Sequence, residues 1–233
     1  MALISIIVPT LNEANAIKNT LLPLQPLRVA RQIEIIIVDG GSSDNTLTIA
    51  TPLSDQQLTC ATGRALQMNA GAAQATTDTL LFLHADTLLT INNLHVLLQV
   101  ITDIQKEHYW GRFDVAIDGD HAMFSVIAFM MNWRSHLSAI VTGDQAIFIS
   151  KHLFQSVNGF PAIPLMEDIT ISKQLKQKVR PIRIKEKVIT SSRRWQKQGV
   201  FKTIWFMWCL RFAYYRGASA EQLAKRYYPQ HFK

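Results

Sequence analysis

Three short apolar runs constrain this chain more than any other feature. Leu3–Val8, Ile33–Val38 and Thr79–His84 are rich in Ile, Val and Leu, and helical patterns separate them. The second run holds four isoleucines in six residues, a composition that suits a strand buried on both faces. Pro9 closes the first run and Asp39-Gly40-Gly41-Ser42-Ser43 closes the second. A helical pattern with stops at Pro23 and Pro26 lies between them, and helices are expected from near Asp44 and over Gly63–Ala75 before the third run. This alternation predicts an α/β fold built on a mostly parallel sheet flanked by helices. Parallel sheets bind ligands beyond the carboxyl ends of their strands. Glu13 follows the first run, Asp39 ends the second and Asp86 follows the third, so three acids gather at one sheet edge.

Beyond Asp86 the alternation loosens. Residues 91–107 and 121–140 read as helices, the second apolar except for Arg134, and residues 110–117 and 145–150 read as strands. Gly159-Phe160-Pro161 and Pro164 mark a loop before Glu167-Asp168, two acids placed where the positive end of a helix over 169–178 favours them. Residues 199–226 read as two helices split at Gly217, the second opened by a Ser219-x-x-Gln222 capping box. No internal repeat or flexible linker divides the chain.

The formal charge of +7 is unevenly spread. Residues 1–150 hold 7 basic and 13 acidic side chains, whereas residues 151–233 hold 17 basic and 4 acidic. At 48 % hydrophobic and 18 % charged the chain is too apolar for a disordered tail. The acidic first part repels a phosphate backbone and no nucleic-acid-binding motif is present, so no nucleic-acid partner is expected. Cys60 and Cys209 form neither a disulfide framework nor a CxxC pattern. The first residues lack the basic region of a secretory leader. The apolar stretch Thr203–Tyr215 falls short of the ~20 residues of a membrane span and is interrupted by Arg211. The expected location is the cytoplasm or the inner face of the cell membrane.

Each acid has a structural reading of its own. Thr10-x-x-Glu13 is a capping-box pattern, Asp44 an N-cap, and Asp39 with two glycines a turn. Gathered at one edge, however, carboxylates repel unless a cation or a hydrogen-bonding ligand shares the site. A nucleotide diphosphate with Mg²⁺ or Mn²⁺ meets that need, because hard cations take carboxylate and phosphate oxygens together.

The strings Ile6-Ile7-Val8-Pro9-Thr10-Leu11-Asn12-Glu13, Val38-Asp39-Gly40-Gly41-Ser42-Ser43-Asp44-Asn45-Thr46 and Phe82-Leu83-His84-Ala85-Asp86 resemble the nucleotide-sugar half of a family 2 glycosyltransferase of the GT-A fold. Gly143-Asp144-Gln145, Gly159-Phe160 and Glu167-Asp168 are similar to its acceptor half, and the resemblance covers roughly residues 3–180. Gly63-Arg64-Ala65-x-Gln67-Met68-Asn69-x-Gly71 and the Arg-rich C-terminal helices resemble a subgroup associated with radical-SAM or selenium-related domains. The resemblance implies a transferase domain over residues 1–190, divided into a nucleotide-sugar half (1–118) and an acceptor half (119–190). Basic aromatic helices over 191–233 then pack on that domain or lie at a membrane surface.

Carried over by position, the resemblance implies that Pro9 and Glu13 line the base pocket, that Asp39 holds base or ribose, and that Arg64 faces the nucleotide. Asp86 matches the last acid of the family's Asp-x-Asp motif, which binds the metal. His84 stands where the first acid would be, and imidazole suits Mn²⁺ better than Mg²⁺. Asp168 is implied as general base, Glu167 as its supporting group, and Asp144 as an acceptor-side residue. Arg193-Arg194-Trp195 is similar to the Gln-x-x-Arg-Trp motif of processive members, but Ser191 replaces the Gln, so processivity is not inferred. Arg194 and Trp195 are expected on the diphosphate or acceptor side.

The expected activity is therefore an inverting, metal-dependent hexosyltransferase using a UDP-sugar, with an acceptor that is lipid-linked or anionic. Two alternatives stand beside it. A scaffold on a degenerate transferase fold is favoured by His84 and the basic tail and opposed by Asp39, Asp86 and Asp168. A sugar nucleotidyltransferase would carry a Gly-rich loop with a basic residue after the first strand, and Pro9–Glu13 has neither. Phe201, Ile204, Trp205, Trp208, Phe212 and Tyr215 fall at helical spacing among Lys202, Arg211 and Arg216. Such a helix rests on anionic lipid, packs on the catalytic domain, or joins two copies of the chain.

Overall fold

A computed structural model describes residues 2–104 and 106–228. The first half runs β1 (Ile4–Thr10), α1 (Ile17–Leu21), α2 (Gln25–Val29), β2 (Ile33–Asp39), α3 (Thr46–Ala50), β3 (Gln56–Thr59), α4 (Arg64–Gln74), β4 (Thr79–Phe82), β5 (Thr87–Leu88) and α5 (Ile91–Asp103). The second runs β6 (Trp110–Ile117), α6 (Ala122–Ser138), β7 (Ile147–Ser150), α7 (Lys151–Ser156), α8 (Glu167–Lys178), β8 (Ile182–Thr190), α9 (Arg193–Gln198), α10 (Val200–Tyr215) and α11 (Ala220–Tyr227). One sheet of eight strands has the order β3-β2-β1-β4-β7-β6-β8-β5.

The apolar runs, interrupted in the first two only by the hydrogen-bonded pair Ser5 and Glu34, are explained by burial on both faces of this sheet. Ile35 and Ile37 point to a core shared with Ile17, Leu21, Leu94 and Leu97, while Ile36 and Val38 join Met68, Phe82, Trp110 and Phe154 on the other side. β1 pairs in parallel with both β2 and β4, and β2 with β3. Gly71 lets α4 press onto β1, since a Cβ there would lie 2.5 Å from Ile7 Cγ2. β7 then enters antiparallel between β4 and β6, and β8 runs parallel to β6. The carboxyl ends of β1, β2, β4, β6 and β8 and the start of β7 consequently meet at one edge.

Several expectations are corrected. β8 was not foreseen, because Ile182–Thr190 alternates apolar residues with Arg, Lys and Glu and so looks like a solvated basic stretch. β3 and β5 were also missed, being only four and two residues long. α5 stops at Asp103 rather than 107, and α6 stops at Ser138, where Ala139 turns left-handed (φ 55°). Residues 230–233 of the expected C-terminal segment lie outside the described residues, as does Pro229.

The C-terminal helices are no detached appendage. Leu210, Leu223 and Ala224 pack on Leu165, Met166 and Ile169 ahead of and within α8. Trp195, Val200 and Ile204 pack on Phe124, Ile127 and Ala128 of α6. The opposite face of α10 is uncovered: Phe201, Trp205, Trp208, Phe212 and Tyr215 are 64–82 % exposed. α6 exposes Val126, Phe129, Met130, Trp133 and Leu137 at the same helical spacing. No helix is long and apolar enough to cross a membrane among the described residues.

Candidate active site

The loops at the shared edge are tied to one another before any ligand is considered. The Asn12 amide donates to Ser42 Oγ (2.8 Å), the Ser43 amide to Asn12 Oδ1 (2.9 Å) and the Glu13 amide to Thr46 Oγ1 (2.8 Å). Asp44 accepts from the amides of Ala14 and Thr46 and so clamps the loop, while the N-cap position of α3 falls to Asn45 instead of Asp44. Gln67 donates to the carbonyls of Thr10 and Val38, at 2.8 Å each, and locks α4 to the ends of β1 and β2.

A cavity of about 610 Å³ opens beyond these strand ends. Its walls include Pro9, Glu13, Arg64, His84, Asp86, Asp144, Glu167, Arg194 and Trp195. All nine were expected site residues. α10 and α11 close the far side with Thr203, Met207, Ala224 and Tyr227.

Two expected residues stand off the cavity wall. Asp39 is buried, and its carboxylate accepts from Thr10 Oγ1 (2.9 Å), Ser42 Oγ (2.6 Å) and the amides of Gly41 (2.9 Å) and Ser42 (2.7 Å). Four in-chain donors make it the organiser of the turn after β2. Asp168 accepts from the Gly143 amide (3.1 Å) and its own helix amide at Ile169 (2.7 Å). Glu167, its neighbour, does line the cavity. Met166 sets them there: it is buried and left-handed at φ 71°, a strained conformation for a non-glycine residue directly before the acidic pair.

Electrostatics distinguish the acids. Burial pushes the Glu167 carboxyl up, and the charge of Asp168 adds to this, while Arg64 Nη1 at 3.8 Å pulls it down. Burial likewise raises Glu13 against the opposing pull of Arg193. Burial would also raise Asp144, but the hydrogen bond and charge of His84, with Arg64 and Arg211, outweigh it and leave the carboxyl below its usual range. Burial lowers Arg64, and the charges of Tyr228, Glu167, Asp144 and Asp168 more than reverse that. Arg64 Nη2 also donates to the Tyr228 hydroxyl (3.3 Å). Arg194, lowered by burial, stacks its guanidinium 3.8 Å over the Tyr227 ring.

His84 Nδ1 lies 3.5 Å from Asp144 Oδ1, and its Nε2 faces Gly143, where a Cβ would lie only 2.2 Å away. The ring thus joins the segment after β4 to the Gly143-Asp144 turn, on the cavity wall. Asp86 does fit a hard cation. Its Oδ2 and Glu13 Oε2 already share one positive group, Arg193 Nη2, at 3.0 and 2.8 Å. Sequence reasoning chose Arg194 and Trp195 and passed over Arg193. The only signal for it was the tandem arginine following the last strand.

The fold is that of the GT-A glycosyltransferases. The profile of glycosyl transferase family 2 matches residues 5–157, and the chain belongs to that family. Among solved structures it is similar to Staphylococcus aureus TarS 1–349 in complex with UDP, at 18 % identity and TM-score 0.63, over 81 % of this chain and 60 % of that one. It is also similar to the mannosyltransferase PcManGT of Pyrobaculum calidifontis in complex with GDP-Man and Mn²⁺ (16 %, TM-score 0.64, 95 % and 69 % covered). A third is glucosyl-3-phosphoglycerate synthase of Mycobacterium tuberculosis in complex with UDP (18 %, TM-score 0.60, 80 % and 70 % covered). The chain thus spans about 60 % of the length of the TarS chain it matches. No curated protein sequence matches it.

Proposed function

We propose that the protein moves a sugar from a UDP-sugar to an acceptor hydroxyl by a single displacement that inverts the anomeric carbon. The supporting observation is the cavity itself, lined by Glu13, Asp86, Arg64, Arg194 and Glu167, with Asp168 next to Glu167 at the start of α8. Pro9 and Glu13 face the base, and Asp39 shapes the turn behind them. Arg64 and Arg194 meet the charge that develops on the departing diphosphate, which guanidiniums bind in bidentate fashion. Asp168 takes the acceptor proton as the hydroxyl oxygen attacks. Glu167, held by Arg64, supports that pair on the donor side, and Asp144 and Trp195 border the acceptor.

Asp86 is the residue that would hold Mn²⁺ or Mg²⁺. When bound, such an ion neutralises the leaving diphosphate. TarS and PcManGT are described with UDP and with GDP-Man and Mn²⁺ respectively, which supports a nucleotide-sugar donor and a divalent ion here. A thermal-shift panel of nucleoside diphosphates and their sugars, with and without Mn²⁺, tests the reading. UDP stabilisation that Mn²⁺ enhances in the parent but not in Asp86→Ala is expected, and no shift with any nucleotide overturns it.

The exposed stripes of α6 and α10 support a cytoplasmic protein seated on the inner membrane face. Trp205, Trp208 and Phe212 would enter the interface, with Lys202 and Arg216 on anionic headgroups. A lipid-linked acceptor would then be presented at the cavity mouth. Flotation with anionic liposomes that is lost in Trp205→Ser/Trp208→Ser is expected. A parent that stays unfloated, or that forms a dimer through this face, overturns the membrane contact.

A further inference from the structure

α11 ends in Tyr227 and Tyr228, which reach the cavity wall and have no task in the mechanism above. Each meets one of the two arginines assigned to the departing diphosphate. Arg64 Nη2 donates to the Tyr228 hydroxyl at 3.3 Å, across 164 positions of sequence, and the Arg194 guanidinium stacks 3.8 Å over the Tyr227 ring. All four side chains line the same cavity. Among the described residues Arg194 has no hydrogen bond or ion pair, so the ring is what holds it and its N–H donors stay available. Arg64 has one further partner, Glu167 Oε1, 3.8 Å from Nη1. The tyrosines are themselves fixed. Ser219 caps α11 by accepting from the Gln222 amide (3.3 Å), and buried Leu223 and Ala224 seat the helix on Leu165, Met166 and Leu210. Tyr227 stacks on Phe206 of α10 (centroids 6.4 Å, 13° between planes), and Tyr228 meets Tyr227 edge to face (4.5 Å, 86°).

We infer that Tyr227 and Tyr228 are positioning residues, which hold Arg194 and Arg64 in place for the diphosphate of the donor. This rests on the transferase reading above. The Arg64 side chain is 40 % exposed, and a long, exposed side chain loses rotamer freedom when it meets a ligand. A partner that fixes it beforehand removes that cost from binding. The two tyrosines do this by different chemistry. Tyr227 acts through its ring, whose face attracts the guanidinium, and phenylalanine has the same face. Tyr228 acts through its hydroxyl oxygen, which phenylalanine lacks. Phenylalanine is therefore tolerated at 227 and harmful at 228, whereas tyrosines that only pack would accept it at both positions.

The test compares UDP with uridine on full-length protein in the presence of Mn²⁺, by calorimetry for UDP and by competition against UDP for uridine. Tyr228→Phe and Tyr227→Leu should each weaken UDP about three- to tenfold, with uridine held within about twofold of the parent. Tyr227→Phe keeps the ring under Arg194 and should bind UDP as the parent does. Both Phe variants are expected to melt with the parent. In an Arg64→Met background Tyr228→Phe should have no further effect on UDP, and Arg194→Met should likewise silence Tyr227→Leu, because each tyrosine acts through its arginine. Unchanged UDP affinity in Tyr228→Phe and Tyr227→Leu overturns the inference. So does an equal loss for uridine, which would put the tyrosines on the nucleoside, and so do losses that add to those of the arginine variants. In each of these cases UDP binding by the parent leaves the donor reading standing. A parent that binds no UDP refutes the transferase reading, and this inference with it.

Discussion

Gly143→Ala places one methyl group between the two halves of the site. The new Cβ would lie 2.2 Å from His84 Nε2 and 2.3 Å from Cε1, distances that real Cβ atoms do not show. The ring must move, and with it the contact from Nδ1 to Asp144 at 3.5 Å. Alternatively the Gly143 backbone gives way, and its amide loses Asp168 Oδ2 at 3.1 Å. Overpacking of this kind costs about 1–3 kcal/mol. At ~2–4 °C per kcal/mol for a chain of this size, a midpoint of ~2 kcal/mol lowers the melting temperature by about 6 °C. A displacement near 1 Å at a catalytic carboxylate costs turnover about 100-fold. Differential scanning calorimetry and UDP release from UDP-sugar read the two effects. His84→Ala supplies the control, since without the ring the alanine at 143 has room. The double-mutant cycle should then return a coupling of about 1–2 kcal/mol in favour of the pair. A Gly143→Ala protein that melts with the parent, or a double variant whose losses simply add, would refute the packing argument.

Arg64→Met should weaken UDP about 10–100-fold by calorimetry, the scale of a lost charge-assisted contact; an unchanged affinity would remove Arg64 from the donor site. Glu13 is held above the ordinary carboxyl range in the folded protein, so the native state keeps its proton more tightly than the unfolded chain. Its contribution to stability is therefore full at low pH and is lost as pH rises through the folded-state value. Arg193→Ala removes the hydrogen bond and charge that pull Glu13 back. The carboxyl resonance of Glu13 should titrate at higher pH in that variant, and a downward move would contradict the assignment. The exposed bridge itself should add less than about 1 kcal/mol to stability.

What sequence could and could not reveal divides along physical lines. β1, β2 and β4 were legible because burial on both faces demands continuous Ile, Val and Leu, and the acids at their ends followed from sheet geometry. β8 was not, since only one of its faces is well buried and its charged residues mask the alternation. Asp39 was legible as a residue but not in its bonding. Whether a carboxylate faces a ligand or four loop donors depends on how the turn after β2 closes over it. The contribution of α10 and α11 to the cavity is a tertiary fact, carried by Leu210, Leu223 and Ala224 meeting Leu165 and Ile169. Arg193 went unseen beside Arg194 for a similar reason. On the short helix α9 one side chain turns to Tyr227 and the other to Glu13 and Asp86.

The central claim is that this cavity activates a nucleotide sugar and that Asp168 receives the acceptor proton. UDP release from a panel of UDP-sugars with Mn²⁺, measured in parent and Asp168→Asn proteins alongside UDP affinity, tests it most directly. The account predicts release by the parent and its loss in Asp168→Asn, with UDP bound within about twofold of the parent, since the substitution removes the base and leaves the donor wall untouched. Release by Asp168→Asn at the parent's rate, or no release from any sugar by a parent that binds UDP, would contradict it.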